Sequence, residues 1–263
     1  MSIRIQDVID AIIAQIPGAP REQTVDTVKT GDPSQPVTGI VTTFLATQAV
    51  LERTVELGAN LVITHEPTFY NHLDEVDWLQ EDPVYTAKRT LIDEHGLVVW
   101  RFHDYWHMHQ PDGIRTGVLK VLGWRQAEGV ESPRIVDIPP MRLDELAATL
   151  KANLGIDTVR LIGKPEMICR RVSLDPGAIS GRWQIDRLAR QGVDVSICGE
   201  INEWETCEYA RDAVQQRRRK ALIVLGHANS EEAGMAWLVE WLAPLAPGVP
   251  ITHVPAGDPF RFV

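Results

Sequence analysis

The chain has 263 residues, 44% hydrophobic and 24% charged, the balance of an ordinary globular protein with room for one large or two small domains. A net charge of −10 argues against a nucleic-acid partner, since neutralising phosphates needs a basic face, and no stretch approaches the ~18 apolar residues of a membrane span. Three cysteines without a Cys-x-x-Cys pair (Cys169, Cys198, Cys207), and an N-terminus with an early acid and no continuous apolar run, read as a cytoplasmic chain with neither a disulfide framework nor a secretory signal.

Apolar residues at 5, 8, 9, 12, 13 and 16 have a helical period and predict a helix over 5–16. Residues 37–45, rich in Val, Ile and Thr, predict a strand; Thr47 caps the helix that follows, Gly58 ends it, and Leu61 to Thr64 is the next strand. Asp82-Pro83 reads as the N-cap and first residue of a helix through Glu94, closed by Gly96 and followed by a strand over 97–102. Gln126 to Pro133 and Pro139-Pro140 read as a linker, giving a first half over 1–125, a linker over 126–140 and a second half over 141–263. In that second half Leu143, Leu146, Leu150 and Leu154 mark a helix. Strands are expected at 171–174, 193–198, 221–225 and 250–254, with helices at 183–190, 204–216 and 231–242.

The halves align. Gly58-Ala59-Asn60-Leu61-Val62-Ile63-Thr64-His65-Glu66 matches Gly192-Val193-Asp194-Val195-Ser196-Ile197-Cys198-Gly199-Glu200 without gaps, and Leu97 to His103 matches Ala221 to His227. The expected fold is therefore α/β: duplicated halves with mixed sheets flanked by helices, whose opposing strand ends can meet at one cleft.

Three strands end on metal-type ligands, where ligands bind in open α/β sheets. The first ends on His65-Glu66-Pro67; this pair reads either as ligands, serving one ion or two ions about 3.5–4 Å apart, or as a strand-end cap. The second runs into His103-Asp104-Tyr105-Trp106-His107-Met108-His109. His107 is expected to be a ligand, His103 a ligand, a partner that orients one, or a catalytic residue, and His109 a proton shuttle or simply exposed. The third runs into His227-Ala228-Asn229-Ser230-Glu231. An imidazole and a carboxylate lie four apart there, with Ser230 as the expected N-cap; the plainer reading has Glu231 complementing a helix dipole. Gly199-Glu200 places a catalytic carboxylate, as a general base or a holder of a substrate amine. The loop from Asp175 to Ser180 reads as a turn in preference to a phosphate site, and the basic run Arg217-Arg218-Arg219-Lys220 as a solvated helix end.

These motifs, with Lys29-Thr30-Gly31-Asp32-Pro33 before the first strand and Gly234-Met235 in the last motif's helix, make the chain resemble the Nif-three-like dinuclear metal-centre family, also called GTP cyclohydrolase I type 2 homologues. The resemblance covers most of the chain. It implies two divalent metal ions in an inter-domain cleft, a ring-shaped homo-hexamer, and metal ligands at His65, Glu66, His107, His227 and Glu231. Two of these depart from the family pattern: Glu66 stands for a histidine and His107 for an aspartate, an exchange that conserves three imidazoles and two carboxylates. The family's Trp-Asp-Asn-type segment is absent. Imidazole and carboxylate donors suit Zn, Fe, Mn or Co. The expected function is a metal-dependent hydrolase of cyclohydrolase or phosphoesterase type acting on a small nucleotide-like or phosphorylated substrate, with neither nucleic acid nor membrane as partner. A non-catalytic metal-binding scaffold or regulatory ring protein is the alternative.

Overall fold

The computed structural model describes residues 3–126, 134–190, 192–261 and 263. The chain divides into two units, one of Met1–Gly117 with Gly234–Ala256, the other of Val118–Ala233 with Gly257–Val263.

In the first unit α1 (Ile5–Ile13) precedes β1 (Val28–Thr30), β2 (Ile40–Thr43), α2 (Gln48–Glu56), β3 (Leu61–Thr64), α3 (Pro83–Glu94), β4 (Val98–Arg101) and a short α4 (Asp104–Met108). The capping signals act as read. The Thr47 hydroxyl accepts the Val50 amide at 3.2 Å, Asp82 accepts the Val84 and Tyr85 amides at 2.9 Å each, and Gly58 and Gly96 take φ of +66° and +59° past their helix ends. The sheet order is β1-β4-β3-β2-β10, where β10 is Ile251–His253; β1 is antiparallel to β4 and the remaining pairs are parallel. Strand periodicity sends Leu61, Ile63, Val98 and Trp100 to one face, against Ile5, Val8, Ile9 and Ile12 of α1, and Val62 and Val99 to the other, against Leu51, Tyr85 and Ile92. Burial on both faces explains why these strands are continuous apolar runs without alternation.

In the second unit β5 (Ile135–Arg142) leads into α6 (Leu143–Leu154), β6 (Arg160–Ile162), β7 (Ile168–Asp175), α7 (Gly181–Arg190), β8 (Val195–Cys198), a π-helical turn over Glu203–Cys207, α8 (Glu208–Gln215) and β9 (Ala221–Val224). The sheet order is β5-β7-β8-β9-β6, with β7, β8 and β9 parallel and both edge strands antiparallel. Leu143, Leu146 and Leu150 of α6 cover Val172, Val195, Ile197 and Ile223. The unit boundaries fall inside α5 (Gly113–Leu122) and α9 (His227–Leu242).

The internal repeat appears in the topology. Each unit runs helix, antiparallel edge strand, then three parallel strands with a helix in each crossover, and then a helix whose first residues carry the histidines. The fifth strand breaks the symmetry: β10 lies parallel to β2 in the first sheet, whereas β5 lies antiparallel to β7 in the second.

Three sequence expectations need correcting. The linker over 126–140 contains Ile135 onward of β5, because Ile135 and Val136 bury against the sheet and the Pro139-Pro140 pair sits at the irregularity between its paired segments; residues 127–133 of that linker lie outside the described residues. The last strand, expected in the second half, joins the first sheet. The final helix begins at His227 and not at 231, so Ser230 lies within it and is not its N-cap. Among the described residues, no helix is long and apolar enough to cross a membrane.

Candidate metal centre

In the first unit β3 delivers His65, β4 delivers His103 one residue beyond Phe102, and one turn of α4 carries His107 to the same face. The three rings form a compact triangle, with centroids 4.7 Å apart for His65 and His103, 5.0 Å for His65 and His107, and 5.0 Å for His103 and His107. A ligand nitrogen from each lies within 4.8 Å of the others. Each Nδ1 faces an acceptor: the Phe102 carbonyl at 3.2 Å for His65, Asp104 Oδ1 at 2.9 Å for His103, and Asp112 Oδ2 at 3.0 Å for His107. These partners fix the Nδ1–H tautomer and so place the lone pair of each neutral ring on Nε2, the arrangement that outer hydrogen bonds impose on metal-binding imidazoles. Burial, with His107 and His103 beside it, pushes the His65 imidazole well below its ordinary value, which keeps it in the ligand form. Burial opposes the Asp104 charge, yet bonds from His103, the Val25 amide and the Thr24 hydroxyl hold its carboxyl below the usual range. Glu66 lies beside the triangle, its Oε1 3.7 Å from His103 Nε2 and its Oε2 3.4 Å from the buried Arg101 guanidinium, which also donates to the His65 and His72 carbonyls.

In the second unit His227 stands between two acids. Its Nδ1 is 2.8 Å from Glu200 Oε1, and its Nε2 is 3.2 Å from Glu231 Oε2. A neutral imidazole has one N–H, so in that state only one contact is a hydrogen bond and the other sets two lone pairs face to face, where a cation fits. Glu231 is 2% exposed, and a carboxylate so placed needs positive charge nearby. Its place is built by glycines. A Cβ on Gly177, whose φ is +73°, would collide with the Glu231 carboxylate, and one on Gly199 would collide with Ser230 Oγ and the Gly177 backbone. Ser230 Oγ accepts the Gly177 amide at 2.9 Å and donates to the His227 carbonyl at 2.7 Å. The Asp175–Ser180 loop is thus a turn that walls in Glu231, its Gly177 amide turned to protein.

The donor set of both groups fits a borderline divalent ion: imidazoles in fixed tautomers and carboxylates, with no thiolate. Of the sequence candidates, His65, His103 and His107 come together, with Glu66 at their edge, and Glu200, His227 and Glu231 come together. His109 does not join; its Nδ1 faces the Pro111 carbonyl at 2.7 Å and its ring packs against Trp106, Trp237 and Trp241. Sequence reasoning missed Asp26, Asp112 and Gly177. Asp26 accepts the amides of His103, Asp104 and Tyr105 at 2.8, 2.9 and 2.7 Å and so serves as the N-cap of α4 from across the unit. Asp112 had a legible signal, since it precedes Gly113 and caps α5 through the Arg115 amide at 2.9 Å; Asp26 had none.

Comparison with known proteins identifies relatives of the chain and of its fold. The "GTP cyclohydrolase 1 type 2 homolog" of Escherichia coli K12 is 29% identical over 214 residues, covering 77% of this chain and 78% of its own, and that of Clostridium perfringens is 21% identical, covering 87% of both. Among solved structures, Staphylococcus aureus protein SA1388 superposes with a TM-score of 0.77 at 18% identity, covering 99% of both chains. A Bacillus cereus protein related to NIF3 gives 0.77 at 15%, covering 100% of this chain and 99% of its own. These last two likenesses concern the fold. Residues 4–256 match the Duf34/NIF3 (NGG1p interacting factor 3) family along their whole length, and the chain belongs to that family.

Proposed function

We propose that this chain is a divalent-metal protein that hydrolyses a small phosphorylated or nucleotide-like substrate. The proposed ligands are His65, Glu66, His103 and His107 in the first unit and His227 and Glu231 in the second, with Glu200 as the proton-handling carboxylate. The supporting observation is the triangle of three imidazoles, each anchored at Nδ1. A bound divalent ion would supply Lewis acidity and lower the pKa of a coordinated water toward about 7. Around it, Asp104 and Asp112 orient their imidazoles, Arg101 balances the Glu66 charge, and Glu200 is placed to take a proton from His227 Nδ1 or from a nearby water. A cytosolic setting is consistent with three free cysteines, whose thiols burial pushes up, Cys169 to about 12. A homo-hexamer remains part of the proposal.

Elemental analysis of protein purified without chelators, followed by a hydrolysis screen of nucleotides and phosphoesters with and without added metal, tests the reading. Bound metal is expected, with turnover that chelation abolishes and His103→Ala reduces at least about 100-fold. Full metal loading with no turnover on any panel member would leave a metal-binding scaffold; no metal would remove both.

A further inference from the structure

At the N-terminal ends of β7 and β9 the second unit has a cavity of about 420 Å³. Glu200 and His227 follow the opposite, C-terminal ends of β8 and β9, so this cavity is a strand length, about 13 Å, away from them. It is bounded by the β6–β7 turn on one side and the loop between α8 and β9 on the other. The basic run belongs to this loop. α8 ends at Gln215, and Arg217, Arg218 and Arg219 lie exposed just past it, so the run sits at a solvated helix end, as the sequence suggested.

Six cationic side chains line the cavity against a single acid, Glu166, on a chain whose net charge is −10. Two are committed to the protein. Lys220 donates to the Val193 carbonyl at 2.6 Å, and Arg219 donates to the Ile168 carbonyl at 3.0 Å and lies 3.7 Å from Asp194. Arg218 uses its Nε on Gln216. Lys164, Arg170 and Arg217 have no side-chain acceptor among the described residues and converge with Arg218 on the same space. Concentrating like charges this way costs free energy until an anion arrives. The floor is apolar, from Met167, Ile168 and Val214. Arg217 also has a φ of +59°, the left-handed position just past a helix end where glycine is usual. Keeping a long cationic side chain there gives up backbone stability.

We propose that this cavity binds a phosphorylated organic anion of about mononucleotide size. Arg170, Arg217 and Arg218 hold the phosphates through paired N–H groups, Lys164 adds a point charge, and Met167, Ile168 and Val214 receive the apolar or heterocyclic body. The volume lies in the ordinary range of about 300–1,000 Å³ for small-molecule sites, and guanidinium forks match phosphate geometry. The site is independent of the proposed metal centre.

Titrating the full-length protein with a fluorescent ADP analogue and with inorganic pyrophosphate, in EDTA and low salt, tests this apart from any metal-dependent binding. Saturable binding of the analogue is expected. Arg170→Gln and Arg217→Gln should each weaken it about tenfold, whereas Arg190→Gln, on an exposed α7 arginine paired with Asp186, and His227→Ala should leave it unchanged. Arg217→Gly should lose the same affinity while raising Tm by about 2 °C, which a purely structural arginine would not do. No saturable binding below about 1 mM, or equal affinity in every variant, overturns the proposal. Pyrophosphate binding as tightly as the analogue removes the organic body from it, and stronger competition by poly-glutamate than by the analogue overturns it in favour of an acidic protein partner.

Discussion

Lys88 of α3 is 3% exposed, donates to the Thr68 carbonyl at 2.6 Å, and lies over the Phe69 and Tyr70 rings at 5.8 and 5.3 Å. It fastens the loop that follows His65-Glu66-Pro67 onto the helix beneath it. Burial pushes its ammonium down from 10.5 to about 8. The folded protein therefore gives up this proton near pH 8, and the unfolded chain only near pH 10.4. Between those values the unfolded state binds more protons, so stability rises with pH, by up to about 3 kcal/mol from this group. Below pH 8 the charged lysine penalises the fold by the same net amount, with burial outweighing the attraction of Asp74. Urea unfolding at intervals from pH 7 to 10 should show wild-type stability climbing relative to Lys88→Met through that window. Parallel profiles would mean that Lys88 titrates in the folded protein as it does in the unfolded chain.

α4 shows what one residue can do for an element. It has five residues, too few to persist alone, yet it carries His107 and is entered through His103. The Asp26 carboxylate accepts the amides of its N-cap His103 and of its first two residues, Asp104 and Tyr105, and leaving a buried amide without an acceptor costs about 1–3 kcal/mol. Asp26→Ala should therefore loosen two imidazoles without touching either ring. The expected readout is a tenfold to hundredfold loss of Zn²⁺ affinity, by competition with a chelating dye, with far-UV circular dichroism retained; wild-type affinity in that variant would show that α4 holds its place by packing alone. Elements such as α2, α3 and β3 were legible because their caps, glycine stops and apolar runs lie within their own segments. The three strand ends that carry histidines and acids were legible for the same reason, as was the repeat. Asp26 was not, since it acts 77 residues away from His103. The start of α9 was misread because its helical turn over Ala228, Asn229 and Ser230 offers no apolar period. β10 was assigned to the wrong sheet because a three-residue strand carries no record of its partner.

At the scale of the whole molecule, the repeat gives each unit its own five-stranded sheet and its own core. In the first unit Leu61, Ile63, Val98 and Trp100 are essentially inaccessible, and in the second Val172, Val195, Ile197 and Ile223 are. Each such side chain contributes about 1.5–3 kcal/mol through burial, so neither sheet needs a metal ion to fold. The histidines and acids follow the strands and are not part of them, so the residues at the proposed ligand positions can change without repacking a core. It follows that a metal bound as proposed would add to a stable fold and would not create it. Chelated protein should keep its far-UV spectrum and unfold cooperatively. A divalent ion at about 100 times its Kd should then add about 2.7 kcal/mol, seen as a Tm rise of roughly 5–10 °C. His65→Ala should lose that rise, and because its ring is fully buried the comparison is made with the variant's own chelated Tm. An apoprotein that is unfolded at room temperature would reverse the argument and make the metal part of the core.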